Sequence, residues 1–99
     1  MKVVWSDWAL DRLDEIHTYL EQEASKRIAD RSIAKVLEAV ALLSQYPNGG
    51  QVEPSLEHKG LGHRRFVLGN YKVVYRIHNS EIRITDVFDA RQDPGKMKG

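Results

Sequence analysis

The sequence has 99 residues, of which 41% are hydrophobic and 29% are charged, and its net charge is +1, which is typical of one soluble globular domain. It contains no cysteine, which excludes a disulfide framework and a thiolate metal site and favours a reducing cytoplasm as its location. The longest uncharged stretch, residues 39–52, contains a proline and two glycines, so we expect no membrane span and no membrane partner.

The charge is distributed unevenly along the chain. Residues 1–49 carry six Lys/Arg and eight Asp/Glu, net −2, whereas residues 50–99 carry nine and six, net +3. The mildly basic C-terminal half indicates an anionic partner. No His, Asp and Glu cluster has the spacing of a metal site, and no glycine-rich loop has that of a phosphate-binding loop, so we expect neither metal nor cofactor.

The N-terminal half predicts a strand followed by two helices. Residues 2–5 are a short apolar run with two valines, which is typical of a strand. Ser6 is a helix N-cap, and apolar residues at helical spacing predict a helix from about 7 to about 23. Ser25 begins a second helix that ends before Pro47, because the residue before proline resists helical ψ. The short break between the helices predicts an antiparallel helical hairpin.

The C-terminal half predicts a loop and three strands. Residues 47–62 are the loop, and strand-like runs follow at 65–68, 71–78 and 82–88. Two tight turns, Gly69-Asn70 and Asn79-Ser80, separate the runs. The sequence therefore predicts one α+β domain over residues 1–99, in the order β-α-α-β-β-β, with a helical hairpin on one face of a small, twisted antiparallel sheet.

The last hairpin predicts specific cross-strand pairs. With the turn at Asn79-Ser80, Ile77 faces Ile82 and Tyr75 faces Ile84 on the helix-covered side. Strict alternation in the last strand adds Asp86 and Phe88 to that side and leaves Thr85 and Val87 on the other. On the second face Arg76 meets Arg83, and facing like charges indicate a solvated surface or a bound anion.

With these elements in place, nearly the whole chain resembles the RelE/ParE superfamily of small bacterial toxins from type II toxin–antitoxin systems, and it is closer to the ParE branch. The resemblance implies a cognate antitoxin that forms a hetero-oligomer with the toxin, with DNA contacted only through the antitoxin. The segments that carry it are WSDWALDRLDEIHTYL, the L-x-x-Y-P-x-x-G close of the second helix, RRFVLGNYKVVYRI and ITDVFDARQDPGKM.

The resemblance implies one of two targets. RelE-like members cut mRNA on the ribosome, which requires a base, a proton donor and cations around the phosphate. That pattern places Arg91 at a functional arginine but Met97 where a tyrosine is needed. The YoeB-like variant of the pattern implies Glu53 and Arg65, with His63 the nearby imidazole. These four candidates, Glu53, His63, Arg65 and Arg91, leave the acid and base roles without a clear occupant.

ParE-like members instead act on DNA gyrase and block replication, and they lack the ribonuclease residues. The sequence fits this branch, so we expect a gyrase inhibitor with no catalytic activity of its own; a ribosome-dependent mRNA endoribonuclease is the alternative, and a nontoxic interaction domain is a third possibility. Arg65, Arg91 and Lys96 are the candidate target-binding residues, although Asp89 and Asp93 could hold Arg91 in a structural pair. An exposed subset of the large rings would form the antitoxin-binding groove, and these rings are Trp5, Trp8, Tyr19, Phe66 and Phe88.

Overall fold

A computed structural model describes all residues, 1–99, and shows two helices and five strands. The helices are α1, Asp7–Glu23, and α2, Lys26–Gln45. The strands are β1, Lys2–Trp5; β2, Gln51–Val52; β3, Arg64–Leu68; β4, Tyr71–His78; and β5, Glu81–Asp89. Short 3₁₀ segments occur at Pro54–Lys59 and Pro94–Lys96. Neither helix is long and apolar enough to cross a bilayer.

Both predicted helix starts are confirmed by their caps. The Ser6 hydroxyl accepts a hydrogen bond from the Ala9 N–H at 3.0 Å, and the Ser25 hydroxyl accepts one from Ile28 at 3.1 Å. Each serine satisfies an N–H that has no partner within its helix. The second helix ends at Gln45, and its C-cap, Tyr46, lies directly before Pro47, as predicted.

The α+β class and the order of elements are confirmed, but the sheet is mixed rather than wholly antiparallel. The strand order is β1-β5-β4-β3-β2, and β1 runs parallel to β5 while the other neighbours are antiparallel. Tight turns fix the directions of β3, β4 and β5. No turn joins β1 to β5, so no local signal in the sequence indicated its direction.

The region predicted as a loop contains the short strand β2, which pairs with β3. Tyr75 anchors the start of this region, because its hydroxyl donates to the Pro47 carbonyl and accepts from the Gly50 N–H, both at 2.9 Å. A Cβ on Gly50 would lie 2.6 Å from that hydroxyl, so the close approach requires glycine.

The last hairpin has the predicted pairs near its turn but not at its far end. Tyr75 pairs with Ile84, Arg76 with Arg83 and Ile77 with Ile82. A β-bulge then shifts the register, so that Val74 pairs with Asp86 and Thr85 is the extra residue.

Because side chains alternate across a sheet, the extra residue changes the face of everything beyond it. Val87 therefore joins the core under the helices, whereas Asp86 and Phe88 lie on the opposite face. The prediction from strict alternation was wrong for these three residues.

The second face of the sheet is partly covered, in contrast to the solvated surface that was one expectation for it. The helix-side core contains Ala9, Val36, Val40, Leu43, Val73, Tyr75, Ile82, Ile84 and Val87. A second, smaller core on the reverse face contains Leu56 from the first 3₁₀ turn, Val74, Phe88 and Met97. The chain thus leaves β5 at Asp89 and then returns across the sheet, which places the C-terminal residues 94–99 over this second core.

Candidate partner-binding site

A groove follows the outer edge of β5. Strand β1 pairs with residues 81–84 of β5 only, so the rest of that edge has no neighbouring strand. The groove has a volume of about 600 Å³ and lies between α1, the edge of β5 and the C-terminal segment. Its lining includes Trp8, Arg12, Tyr19, Tyr71, Asp86, Arg91, Lys96 and Lys98.

Asp86 joins the two walls of the groove. One carboxylate oxygen accepts a hydrogen bond from the Trp8 indole N–H at 3.0 Å, and the other accepts one from the Lys98 backbone N–H at 2.8 Å. Asp86 is 1% exposed, and burial raises the pKa of its carboxyl, although these hydrogen bonds oppose that effect. This buried side chain therefore ties the C-terminal segment to α1.

Trp8 is the central aromatic side chain of the groove. The Arg12 guanidinium lies 4.3 Å from its ring centroid, and the Lys98 ammonium lies 5.1 Å from it. These are cation–π distances, and together with the bond to Asp86 they fix the ring while it remains 39% exposed. Tyr19, about three turns further along α1 and 51% exposed, lines the same groove.

Arg91 is held in a local ion pair. Its Nε and Nη2 donate to the two carboxylate oxygens of Asp89 at 2.9 and 2.7 Å, and its backbone N–H donates to the same carboxylate. The hydrogen bond from the guanidinium holds the pKa of Asp89 below its ordinary value. Asp93 instead accepts from the Gly95 N–H. Arg91 therefore has its fork occupied by Asp89, while more than half of its side chain is exposed at the groove.

Glu53 and Arg65, two candidates for ribonuclease chemistry, do come together, but in a buried structural cluster. Glu53 is 1% exposed and accepts from Lys72 Nζ at 3.1 Å and from the Ser55 N–H at 3.0 Å, while Arg65 Nε lies 3.8 Å away. Burial would raise the pKa of Glu53, but the hydrogen bonds from Ser55 and Lys72 outweigh it and hold the pKa below its ordinary value. Arg65 also donates to the Val52 carbonyl. An ion-paired carboxylate without solvent access is poorly suited to take a proton from a ribose hydroxyl.

His63 and Met97 are also buried. His63 is 2% exposed, and burial together with the nearby charges of Arg76 and Lys59 lowers the pKa of its imidazole. Met97 is 5% exposed and packs in the reverse-face core. The position at which the ribonuclease pattern requires a tyrosine is therefore an apolar anchor for the C-terminal segment.

The structure places some of the predicted antitoxin-binding rings and target-binding cations at the groove and the others elsewhere. Of the five rings, Trp8 and Tyr19 are exposed in the groove; Trp5 and Phe66 are half-buried against the helix-side core. Phe88 is 6% exposed and packs in the reverse-face core, and it also lines the groove. Arg91 and Lys96 border the groove, whereas Arg65 lies with Glu53 and does not.

Sequence reasoning did not identify Arg12, Tyr71, Asp86 or Lys98 as groove residues. Asp86 offers a signal, since an acidic residue within the apolar run of β5 requires hydrogen-bond partners if it is buried. Arg12, Tyr71 and Lys98 offer no such signal in the sequence, because the surface that they share forms only when the C-terminal segment folds back beside α1.

A helical hairpin on a small five-stranded sheet, with a groove along the last strand, defines the class of the protein as an α+β domain of the RelE/ParE type. One solved structure of this fold, of the chromosomal ParDE TA system from P. aeruginosa, is similar with a TM-score of 0.75. It is 24% identical and the match covers 90% of this chain and 95% of that one. We found no significant match among curated proteins.

The family model for the ParE toxin of the type II toxin–antitoxin system, parDE, matches residues 3–94. This chain therefore belongs to the ParE toxin family.

Proposed function

We propose that this ParE-family toxin inhibits DNA gyrase, and so blocks replication and growth, until a cognate antitoxin neutralises it. The observation that carries the proposal is the burial of the residues at positions that mRNA cleavage would require. Glu53 is buried in ion pairs, His63 is buried and Met97 is a core residue. The residues at the positions of the ribonuclease pattern thus offer no accessible acid–base pair, which weakens the ribonuclease alternative. Inhibition through binding requires no such pair.

Gyrase inhibition is tested directly with purified components. Adding the toxin to gyrase, relaxed plasmid and ATP is expected to reduce supercoiling in a dose-dependent way, and adding the toxin to a translation reaction is expected to leave the mRNA intact. The readouts are agarose gels for the plasmid and primer extension for the message. Unchanged supercoiling over a wide toxin excess, or new cuts in the translated message, would contradict the proposal.

We further propose that the antitoxin binds in the groove beside β5. The exposed rings of Trp8 and Tyr19 provide apolar contact area, and aromatic residues are common at the centres of interfaces. Arg12 and Arg91 are ion-paired with Glu15 and Asp89, whereas Lys96 and Lys98 form no salt bridge and leave positive charge in the groove that favours an acidic segment. The unpaired edge of β5 beyond residue 84 is also able to accept an additional strand.

Tyr19→Ala is expected to weaken antitoxin binding by about tenfold, because it removes an exposed ring from the groove without disturbing the core. Tyr46→Ala is the matched control, since Tyr46 is 66% exposed but lies at the end of α2 and does not line the groove. Isothermal titration calorimetry with the purified antitoxin measures both variants. Equal affinities for the two variants would place the antitoxin elsewhere.

A further inference from the structure

A row of basic side chains crosses the reverse face of the sheet, away from the groove. Arg76 on β4 pairs with Arg83 on β5. Arg64 pairs with Tyr75, and continuing that register by one residue places His63 opposite Arg76. Because Tyr75 points into the helix-side core, alternation directs the members of this row, His63, Arg76 and Arg83, to the other face.

The protein neutralises the positive charge of this row only in part. Arg76 forms no salt bridge, and Arg83 forms one, to Glu81 at 3.3 Å. Facing like charges destabilise a strand pair unless solvent or an anion separates them. Lys59 adds a further cation close enough to lower the pKa of His63.

The imidazole of His63 has hydrogen-bonding capacity that is not met in good geometry, although the Gly99 backbone lies close enough to act on its pKa. It is 2% exposed, yet neither ring nitrogen has a hydrogen-bond partner. Buried polar atoms in folded proteins are nearly always paired, and an exception requires an explanation. Gly99 lies directly against this ring, since a Cβ built on it would be 2.7 Å from Nε2. A displacement of this last residue alone would open the ring to a ligand beside Arg76.

We propose that this row binds the phosphodiester backbone of nucleic acid, with Arg76 and Arg83 contacting phosphate and His63 at the floor of the site. Arginine forks match the geometry of phosphate oxygens. The row has no aromatic or apolar centre such as protein interfaces have; Val4, which pairs with Arg83, is its apolar neighbour. Polar and positively charged surfaces are instead typical of nucleic-acid interfaces.

This site is separate from the groove, because none of its three residues lines it. It would let the toxin contact nucleic acid by itself, in contrast to the expectation from the sequence that DNA is contacted only through the antitoxin. The inference does not depend on gyrase as the target.

The test measures binding of the full-length toxin to a short fluorescein-labelled DNA duplex by fluorescence anisotropy at several salt concentrations. The double substitution Arg76→Gln/Arg83→Gln is expected to weaken binding by at least about tenfold and to reduce the slope of log affinity against log salt by about 1.8, since two phosphate contacts are lost. The matched control is Arg27→Gln/Arg31→Gln, which removes two exposed and unpaired arginines of α2. It is expected to bind almost as the unsubstituted toxin does.

Three outcomes would overturn the proposal: no binding of the duplex by the unsubstituted toxin at low salt, equal loss of affinity in both double variants, or duplex affinity no higher than that for inorganic phosphate. The last would indicate a site for free phosphate. A second readout requires no substitution and so is independent of whether the variants fold. Titrating the unsubstituted toxin with the unlabelled duplex is expected to shift the His63 ring resonances in NMR spectra, and unchanged resonances at saturation would exclude His63 from the site.

Discussion

Replacing Glu53 with alanine is expected to lower the free energy of unfolding by about 3 kcal/mol. The carboxylate is buried and is shared by Lys72, Arg65 and the Ser55 N–H. Its removal leaves two cations beside a cavity, with about a fifth of each side chain exposed. Removing one partner of a buried ion pair typically lowers the free energy of unfolding by about 3–5 kcal/mol. Because Lys72 and Arg65 are partly solvated, we expect a loss near the lower limit of that range. Urea unfolding monitored by circular dichroism measures the change.

Glu57→Ala is the control for this prediction, because Glu57 is exposed in the same 3₁₀ turn and forms no ion pair. Its effect is expected to stay within about 0.5 kcal/mol. The double substitution Glu53→Met/Lys72→Met is expected to recover part of the loss, since it removes both members of the pair. A Glu53→Ala variant as stable as the Glu57→Ala variant would show that the cluster contributes nothing to folding.

Replacing Glu53 with glutamine separates a structural role of this residue from a catalytic one. A general base replaced by glutamine loses its activity but need not lose stability, whereas a buried charge partner replaced by glutamine loses stability first. The geometry predicts a loss of stability, because no face of the Glu53 carboxylate is open to a substrate. Glu53 thus shows why a residue that aligns with a catalytic pattern has to be judged by its surroundings.

Local sequence signals were sufficient for most of the fold. Ser6 and Ser25 are caps in the structure, Pro47 follows the end of α2, and Asn79 and Ser80 both adopt positive φ, as a two-residue hairpin turn requires. Each of these features depends on residues within a few positions of one another. The helices and the last hairpin were therefore predictable from the sequence.

The candidate sites were less predictable, because three nonlocal features determine them. The bulge at Thr85 exchanges the faces of Asp86, Val87 and Phe88, and no residue type in that run indicates it. The parallel pairing of β1 leaves the far edge of β5 open, and no turn specifies it. The return of the C-terminal segment depends on Met97, which as a lone apolar residue among charged ones has no periodicity to indicate burial.

The return of this segment leads to the second large effect. Met97→Ala is expected to increase the hydrogen-exchange rate of the Lys98 N–H by about 30-fold, which corresponds to about 2 kcal/mol of lost docking free energy. Met97 is the buried apolar side chain of residues 94–99, and its contacts with Leu56, Val74 and Phe88 would be lost. The bond from Lys98 to Asp86 would then have to hold the segment without apolar packing.

Hydrogen exchange also shows whether the segment opens by itself. Amides of β4, such as that of Val73, are expected to keep their protection in Met97→Ala, because local opening leaves the helix-side core intact. Lys96→Ala is the control within the segment, since Lys96 is exposed and is expected to leave exchange at Lys98 unchanged. An equal loss of protection at Lys98 and in β4 would mean that the segment unfolds only with the whole domain. Selective loss at Lys98 would instead show an element that docks and undocks between the groove and the basic row. Supercoiling assays with Met97→Ala would then measure how much the docked position contributes to the proposed inhibition of gyrase.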